Sequence, residues 1–530
     1  HVQDPAHLPR LLTSHFWDIE HTGERANATY QYLYRPVVSL AYLAQWTLFE
    51  GQSLGFHVVS LVLHLCCVVL VFRWLGCRLG MVKGATAGVL IGTALFGLHP
   101  TRVESVAWIS GSTDLWMTFF VFLGLWAWDR GNTKSMTAAA FVGLVLGLFS
   151  KEAAVVVPVL LLSDAILLGR GPEERRRALW LGAAFVVPLL FRLWTVPLGG
   201  PVDSASVLDG PSRQSEPVNR ILSSFGLYLR HTLWPTEPTI RAGLRHSDAG
   251  VELFDPLFVT LGAIGGAAIL AFLFAAHRKK ALRPLLADLL WFIVPLVPVL
   301  NVADIGADTL ISERFLYLPM VGLSALVARL VARCWAMGSR PRTMVLLGAV
   351  VALAPCAWIA RGHVPHFKDN LAFWEHAYET GPNSMVTISA LSRLYRHSED
   401  PAVVLALLQR GYEVAQAEKH VAWALTFSLT GIAEMLSVTA DADRQTIGQI
   451  AEAYLGVERH SHLRFSKGPL RIDLPLDARG REFCLSTPTD YGIPRAIALM
   501  RAGQRERATS DLENVVETMS HPGAWSLLVR

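Results

Sequence analysis

Four short stretches set ionisable residues directly against long apolar runs: Tyr34-Arg35-Pro36, LHPTRVESVAWISGSTD (98–114), FSKEAAVVVP (149–158) and SERFLYLP (312–319). A charge near membrane depth costs about 2.5–3.5 kcal/mol on insertion scales, so such residues are functional candidates. In the second stretch His99-Pro100 stops the preceding run, Glu104 opens a short amphipathic turn, and Asp114 precedes the next run. His99, Glu104 and Asp114 are candidates to orient a donor or an acceptor; a Pro break with a capping Asp is the plainer alternative. Lys151, with Glu152 beside it, suits a cation that meets an anion such as a lipid phosphate, or else a self-neutralising pair in a tight turn. Glu313-Arg314, followed by Phe315 and Tyr317, offers either a guanidinium for bidentate phosphate contact or an interface anchor. Tyr34-Arg35 brings a further cation.

Cations, acids and an imidazole thus come from four separate segments. The set fits an anionic, lipid-linked donor. Its phosphate would meet Arg35, Lys151 or Arg314, and a carboxylate would deprotonate an acceptor arriving from water. Other polar residues carry less. His57 and His64, seven apart on one apolar run, suit polar groups satisfied inside a bundle better than metal ligands. The six cysteines show no metal-knuckle spacing and suit small buried hydrophobes. No metal ligand is assigned, and metal dependence is open. Asp18 and Glu20, beside Phe16 and Trp17, are placed in an outer arm, as is the sequon Asn27-Ala28-Thr29.

The elements that must position these residues follow from composition. Of the 530 residues, 52% are hydrophobic and only 17% charged, with a mean hydropathy of +0.37. Soluble domains carry about 25% charged residues. A disordered chain is excluded by the apolar content, and a net charge of +4 is too small to imply a nucleic-acid partner. Candidate spans lie near 54–76, 85–98, 115–128, 136–149, 153–169, 179–198, 257–276, 285–300, 316–335 and 343–360. Several are shorter than the roughly 20 residues that a crossing needs, so ten is a count to be tested.

One set of loops gathers Arg73, Arg78 and Lys83, Arg130 and Lys134, Arg170 and Arg175 to Arg177, Arg278 to Arg283, and Arg333 to Arg342. That set is expected on the cytoplasmic side. The alternate loops (1–53, 99–114, 199–256 and 301–315) and the tail would then face outward. YRPVVSLAYLAQWTLF (34–49) is expected to lie in the interface, and RILSSFGLYLRHTLWP (220–235) to form a helix lying on the membrane. The expected fold class is all-α: a polytopic bundle over 1–360 and a more polar helical domain over 361–530. The tail contains a helix, a turn at Gly503 and a second helix with alanines, as in paired-helix repeats of about 34 residues. Residues 425–485 fit that pattern poorly, so an irregular helical bundle is the alternative.

The four segments, in order, resemble signatures of the transmembrane and tetratricopeptide-repeat (TMTC-like) O-mannosyltransferase family, of the GT-C glycosyltransferase superfamily. The segments are YRPVVSLAYLAQWTLFEGQSLGFHVVSLVLHL, LFGLHPTRVESVAWISGSTDL, SKEAAVVVPVLLLSDAIL and NVADIGADTLISERFLYLP. The resemblance covers roughly residues 1–385. It implies a membrane enzyme that moves a sugar, mannose or another hexose, from a polyprenyl- or dolichyl-phosphate donor to a protein hydroxyl or glycan, with inversion. It implies donor-phosphate roles for Arg35, Lys151 and Arg314. Glu104, His99 and Asp114 would orient donor or acceptor, and Tyr34, Glu152, Glu313 and Tyr317 would support them. The implied partners are the lipid bilayer, the polyprenyl-phosphate sugar and an acceptor held by the helical tail. The family's acidic pair precedes a step similar to Gln3-Asp4-Pro5, so the first span and the catalytic base are expected upstream of His1. The abundance of Ala, Gly, Arg and Leu suggests a bacterial inner membrane. A non-catalytic scaffold and a lipid or solute transporter are the alternatives.

Overall fold

The computed structural model describes residues 34–131, 133–195, 217–235, 256–300, 311–396, 400–417, 421–440, 443–460, 462–476 and 493–510. The expectations for Asp18, Glu20 and the sequon at Asn27 lie outside these residues, as do the acids Asp203, Asp209, Asp304 and Asp308. The membrane part is built from α1 (Pro36–Phe49), α2 (Ser53–Leu79), α3 (Ala85–Leu98), α4 (Val103–Ala107), α5 (Thr113–Asp129), α6 (Lys134–Ser150) and α7 (Val157–Leu167). It continues with α8 (Pro172–Thr195), α9 (Pro217–Leu233), α10 (Pro256–Arg278), α11 (Arg283–Ile293), α12 (Met320–Ala336) and α13 (Ser339–His363).

A helix satisfies its own backbone groups, which apolar surroundings require. Each of the ten expected spans overlaps a helix, but length separates them. Among the described residues, five helical stretches are long and apolar enough to cross a membrane, or six if a pair bent by 105° at Trp108 counts as one span. α3, α5, α6 and α12 have 14, 17, 17 and 17 residues.

Apolar attraction between helices is weak in lipid, so close packing decides how they associate. Small residues allow it here. A Cβ on Gly88 of α3 would lie 2.2 Å from the carbonyl oxygen of Ala328 in α12, and one on Gly143 of α6 would lie 2.7 Å from Cα of Gly124 in α5. Trp74, Phe122 and Trp291 fill the space between α2, α5 and α11, with ring centroids 5.0 to 6.1 Å apart. α9 is amphipathic as expected. It also packs along α10 and turns Tyr228 and His231 fully inward, so it is part of the bundle.

Arg78, grouped above with the basic loops, is instead buried in the last turn of α2. Its guanidinium meets Asp164 at 2.5 and 2.8 Å and Asp288 at 2.6 Å. Arg329 meets Asp288 at 2.5 Å, and the Trp291 indole donates to Asp164 at 2.9 Å. Two acids and two arginines balance one another and tie α2, α7, α11 and α12 together. α2 has 27 residues and rises about 40 Å, which places this cluster at the opposite end from the segment around residue 104.

Among the described residues the tail is helical apart from one hairpin. It comprises α14 (Asn370–Thr380), α15 (Met385–Tyr395), α16 (Pro401–Ala417), α17 (Val421–Val438), α18 (Arg444–His460), β1 (His462–Lys467), β2 (Leu470–Pro475) and α19 (Ile493–Arg501). Asp369 and Ser384 cap α14 and α15 by accepting from the amides of Ala372 and Thr387. β1 and β2 pair antiparallel, Phe465 opposite Ile472, with Leu463, Phe465, Leu470, Ile472 and Leu474 buried. The hairpin packs on α16, α17 and α18 and falls within the stretch that fits helical repeats poorly. The Gly503 turn forms as expected, with φ of +83°.

Candidate functional site

One end of the bundle collects all four segments singled out in the sequence. Four breaks in helix create it: Arg35 just before α1, the turn 99–112 between α3 and α5, the turn 151–156 between α6 and α7, and the turn 313–316 before α12. Prolines fix two of these breaks. Pro36 opens α1 and Pro100 begins a 3-10 turn after α3. At each of these points an ionisable side chain stands beside a helix end.

Among the described residues, three carboxylates of this rim are held by four cations. Lys151 Nζ donates to both carboxylate oxygens of Asp114, at 2.7 and 2.6 Å. Arg35 meets Glu152 at 2.7 and 3.3 Å, and Arg192 of α8 meets the same carboxylate at 3.0 Å. Glu104 accepts from the Ser312 hydroxyl at 2.8 Å, from the Arg314 amide at 2.9 Å and from the Arg314 guanidinium at 3.4 Å. Phe315 joins the pairs: Lys151 lies 4.5 Å from its ring centroid and Arg314 5.2 Å. Arg314 also stacks on Trp108 at 4.6 Å. Arg35, Glu104, Lys151 and Arg314 are therefore brought together.

Exposure sorts these groups. The side chains of Lys151 and Asp114 are 3% exposed and that of Glu104 also 3%, whereas Arg314 is 24% and Glu152 43% exposed. Arg35 lies between, at 11%. Arg314 and then Arg35 are the most exposed cations of this group. Burial lowers the Lys151 ammonium from its ordinary value; Asp114 works against that, while Arg35 and Arg314 add to it. Burial opposes ionisation of Glu152, yet Arg35 and Arg192 hold its carboxyl well below the usual range.

Other predicted residues point inward. His99 contacts the Thr101 hydroxyl at 2.9 Å and the Thr232 carbonyl at 3.2 Å, so it ties the turn to α9. Burial, then Arg102, lowers its imidazole to about 4. Glu313 approaches His231 Nδ1 at 2.9 Å. Tyr317 is fully buried, its hydroxyl 2.7 Å from Nδ1 of His64, inside the bundle as expected for that histidine. Tyr34 is buried, and its carbonyl accepts from Arg192.

Three residues of the site were missed in the sequence. Arg102 is buried and donates to the carbonyls of Leu316 and Tyr317, at 2.9 and 2.8 Å, locking the 99–112 turn to the 313–316 turn. Arg192 and His231 sit inside helices, where nothing marks them as rim residues. Arg102 stood inside a stretch already singled out, three residues from His99.

No family model matches the sequence, and no solved structure matches it. Several curated proteins are similar over part of its length, three of them as follows. A protein O-mannosyl-transferase of Caenorhabditis elegans is 30% identical over 123 residues, 23% of this chain and 17% of its own. The protein O-mannosyl-transferase Tmtc2 of Drosophila melanogaster is 29% identical over 217 residues, 38% of this chain and 22% of its own. The protein O-mannosyl-transferase TMTC4 of Mus musculus is 27% identical over 191 residues, 32% of this chain and 25% of its own. The chain thus spans no more than a quarter of the length of these relatives. With its helical polytopic fold, it is TMTC-like: over part of its length it is similar to the TMTC protein O-mannosyl-transferases.

Proposed function

We propose that the chain is a membrane glycosyltransferase that takes a sugar, mannose by resemblance, from a polyprenyl- or dolichyl-phosphate donor. The transfer would be inverting, to a protein hydroxyl or a glycan, on the extracytoplasmic face. One observation carries this reading: four distant segments supply three cations, Arg35, Lys151 and Arg314, and the carboxylates of Glu152, Asp114 and Glu104 that match them, at one rim of a helical bundle. A lipid phosphate entering from the bilayer meets Arg314 and Arg35, whose guanidinium forks suit its oxygens. Lys151 stands behind them, its ammonium held by both oxygens of Asp114. Trp108 and Phe315 hold the Arg314 guanidinium in place by stacking. The helical tail then presents the acceptor. The loops that hold these residues are the ones poor in Lys and Arg, in keeping with an outward face.

A second reading, a scaffold that binds the lipid without transferring a sugar, has one observation in its favour. Among the described rim residues every carboxylate already faces a cation or an imidazole, so each is engaged before an acceptor arrives. Two measurements on the full chain in lipid nanodiscs separate the readings. Binding of a polyprenyl phosphate should fall at least tenfold in Arg314→Ala and Arg35→Ala while expression holds. Release of sugar from a labelled polyprenyl-phosphate mannose onto any acceptor supports transfer. Binding without release supports the scaffold, and undiminished binding in both variants removes the phosphate assignment.

A further inference from the structure

The joint between the last membrane helix and the tail carries a cluster of a different kind. α13 ends at His363, a 3-10 turn covers Val364–Phe367, and α14 begins at Asn370. His363 and His366 are three apart, which puts them on one side of a helical turn. His376, two turns into α14, folds back over them. The ring centroids of His363 lie 5.4 Å from those of His366 and His376, and the His366 and His376 rings stack at 3.6 Å with an 11° tilt. One nitrogen from each of the three falls within 4.8 Å of the others.

We infer that His363, His366 and His376 bind one divalent transition-metal ion of the zinc class, clasping α14 to the end of α13. Imidazole nitrogen is a preferred ligand for zinc, and three with a fourth position left open is a common arrangement. A zinc–nitrogen bond is about 2.0–2.1 Å, so the nitrogens close on the ion by a small rotation of the side chains. The orientation of His376 also fits. Its Nδ1 faces a carboxylate oxygen of Glu379 at 3.7 Å, while its Nε2 is buried without a hydrogen-bond partner. A carboxylate on one nitrogen fixes the tautomer that offers the other to a metal. The ligating form is the neutral imidazole.

What the clasp would hold in place is visible nearby. Phe367, Phe373 and Ala377 pack with Val103 in one small core, and Phe373 stacks on Trp108 at 5.5 Å and 26°. α14 therefore rests on α4, the turn that carries Glu104, and the ion would fix the tail against the rim.

The test uses the full chain in detergent, purified without a histidine tag, stripped by chelation and dialysed. Zinc should bind at one ion per chain, cobalt(II) should give the visible absorption of a nitrogen-ligated site, and magnesium should not compete. His376→Asn and His366→Asn, each checked for native helix content, should weaken zinc binding at least a hundredfold. A wild-type chain that takes up no stoichiometric zinc overturns the inference, whatever the variants do. So does equal zinc affinity in wild type and both variants.

Discussion

Lys151 and Asp114 form a buried pair in which one ammonium reaches both oxygens of one carboxylate, with both side chains 3% exposed. They are 37 residues apart in sequence, at the end of α6 and the start of α5. Breaking a buried pair by removing one partner costs about 3–5 kcal/mol, because the other charge is left uncompensated. Asp114→Ala should therefore destabilise the protein by about that amount, and Lys151→Ala similarly. The double variant should lose less than the sum of the two. Thermal unfolding in detergent, followed by tryptophan fluorescence, measures all four forms. Additive losses would show that the pair does not act as a unit.

Glu152 gives a pH dependence whose sign is fixed by its partners. Burial opposes its ionisation, but Arg35 and Arg192 outweigh it and depress the carboxyl below its ordinary value of 4.5. A depressed carboxyl contributes stability that is fully present above the unfolded value and lost as pH falls through the folded one. The melting temperature of wild type should thus exceed that of Glu152→Gln by a constant margin from neutral pH down to about pH 5. The margin should shrink as pH falls further. A margin that grows on acidification contradicts the ion-pair account.

Much of this arrangement was legible in the sequence, for a physical reason. A charge beside an apolar run is conspicuous because lipid makes it costly, so Arg35, Glu104, Lys151 and Arg314 stand out one segment at a time. The choice of partner does not stand out. Nothing local tells Lys151 to take Asp114 rather than its neighbour Glu152, and Arg192 and Arg78 look like helix-end cations until the fold brings acids to them. Helix existence followed from apolar length, whereas the number of crossings did not, since α3, α5, α6 and α12 are too short to settle it alone. The β1–β2 hairpin had a signal that went unused: Leu470, Ile472 and Leu474 alternate with polar residues, a period of two rather than 3.6.

The helix contacts make a contrast between two glycines. A side chain at Gly88 meets the backbone of α12, 2.2 Å from the Ala328 carbonyl oxygen, where neither atom can yield. Gly348 of α13 has open space around it. Gly88→Ala should destabilise the bundle by about 1–3 kcal/mol through forced separation of α3 and α12. Gly348→Ala should leave stability unchanged or raise it by up to about 1 kcal/mol, the difference in helix propensity. Denaturation midpoints of the two variants decide it, and equal midpoints would mean that α3 and α12 are not in backbone contact.

Arg314 offers the sharpest separation of charge from shape. Its guanidinium stacks on Trp108 and Phe315 and lies 3.4 Å from Glu104, while its backbone amide makes the shorter bond to the same carboxylate at 2.9 Å. Glu104 is thus anchored by groups that Arg314→Lys leaves in place, the amide and the Ser312 hydroxyl. The substitution keeps the positive charge and removes the planar fork and the stacking surface. If Arg314 holds a phosphate by two parallel hydrogen bonds, Arg314→Lys should weaken polyprenyl-phosphate binding about tenfold, close to the loss in Arg314→Ala, with the melting temperature near that of wild type. If charge alone matters, Lys retains the affinity and only Ala loses it. Trp108→Leu adds a third arm. Removing one stacking face should weaken the lipid about threefold to tenfold, in line with a cation–π contribution of about 0.5–1 kcal/mol or somewhat more where water is excluded. Full affinity in Arg314→Ala as well as in Arg314→Lys and Trp108→Leu would assign the phosphate to Arg35 instead.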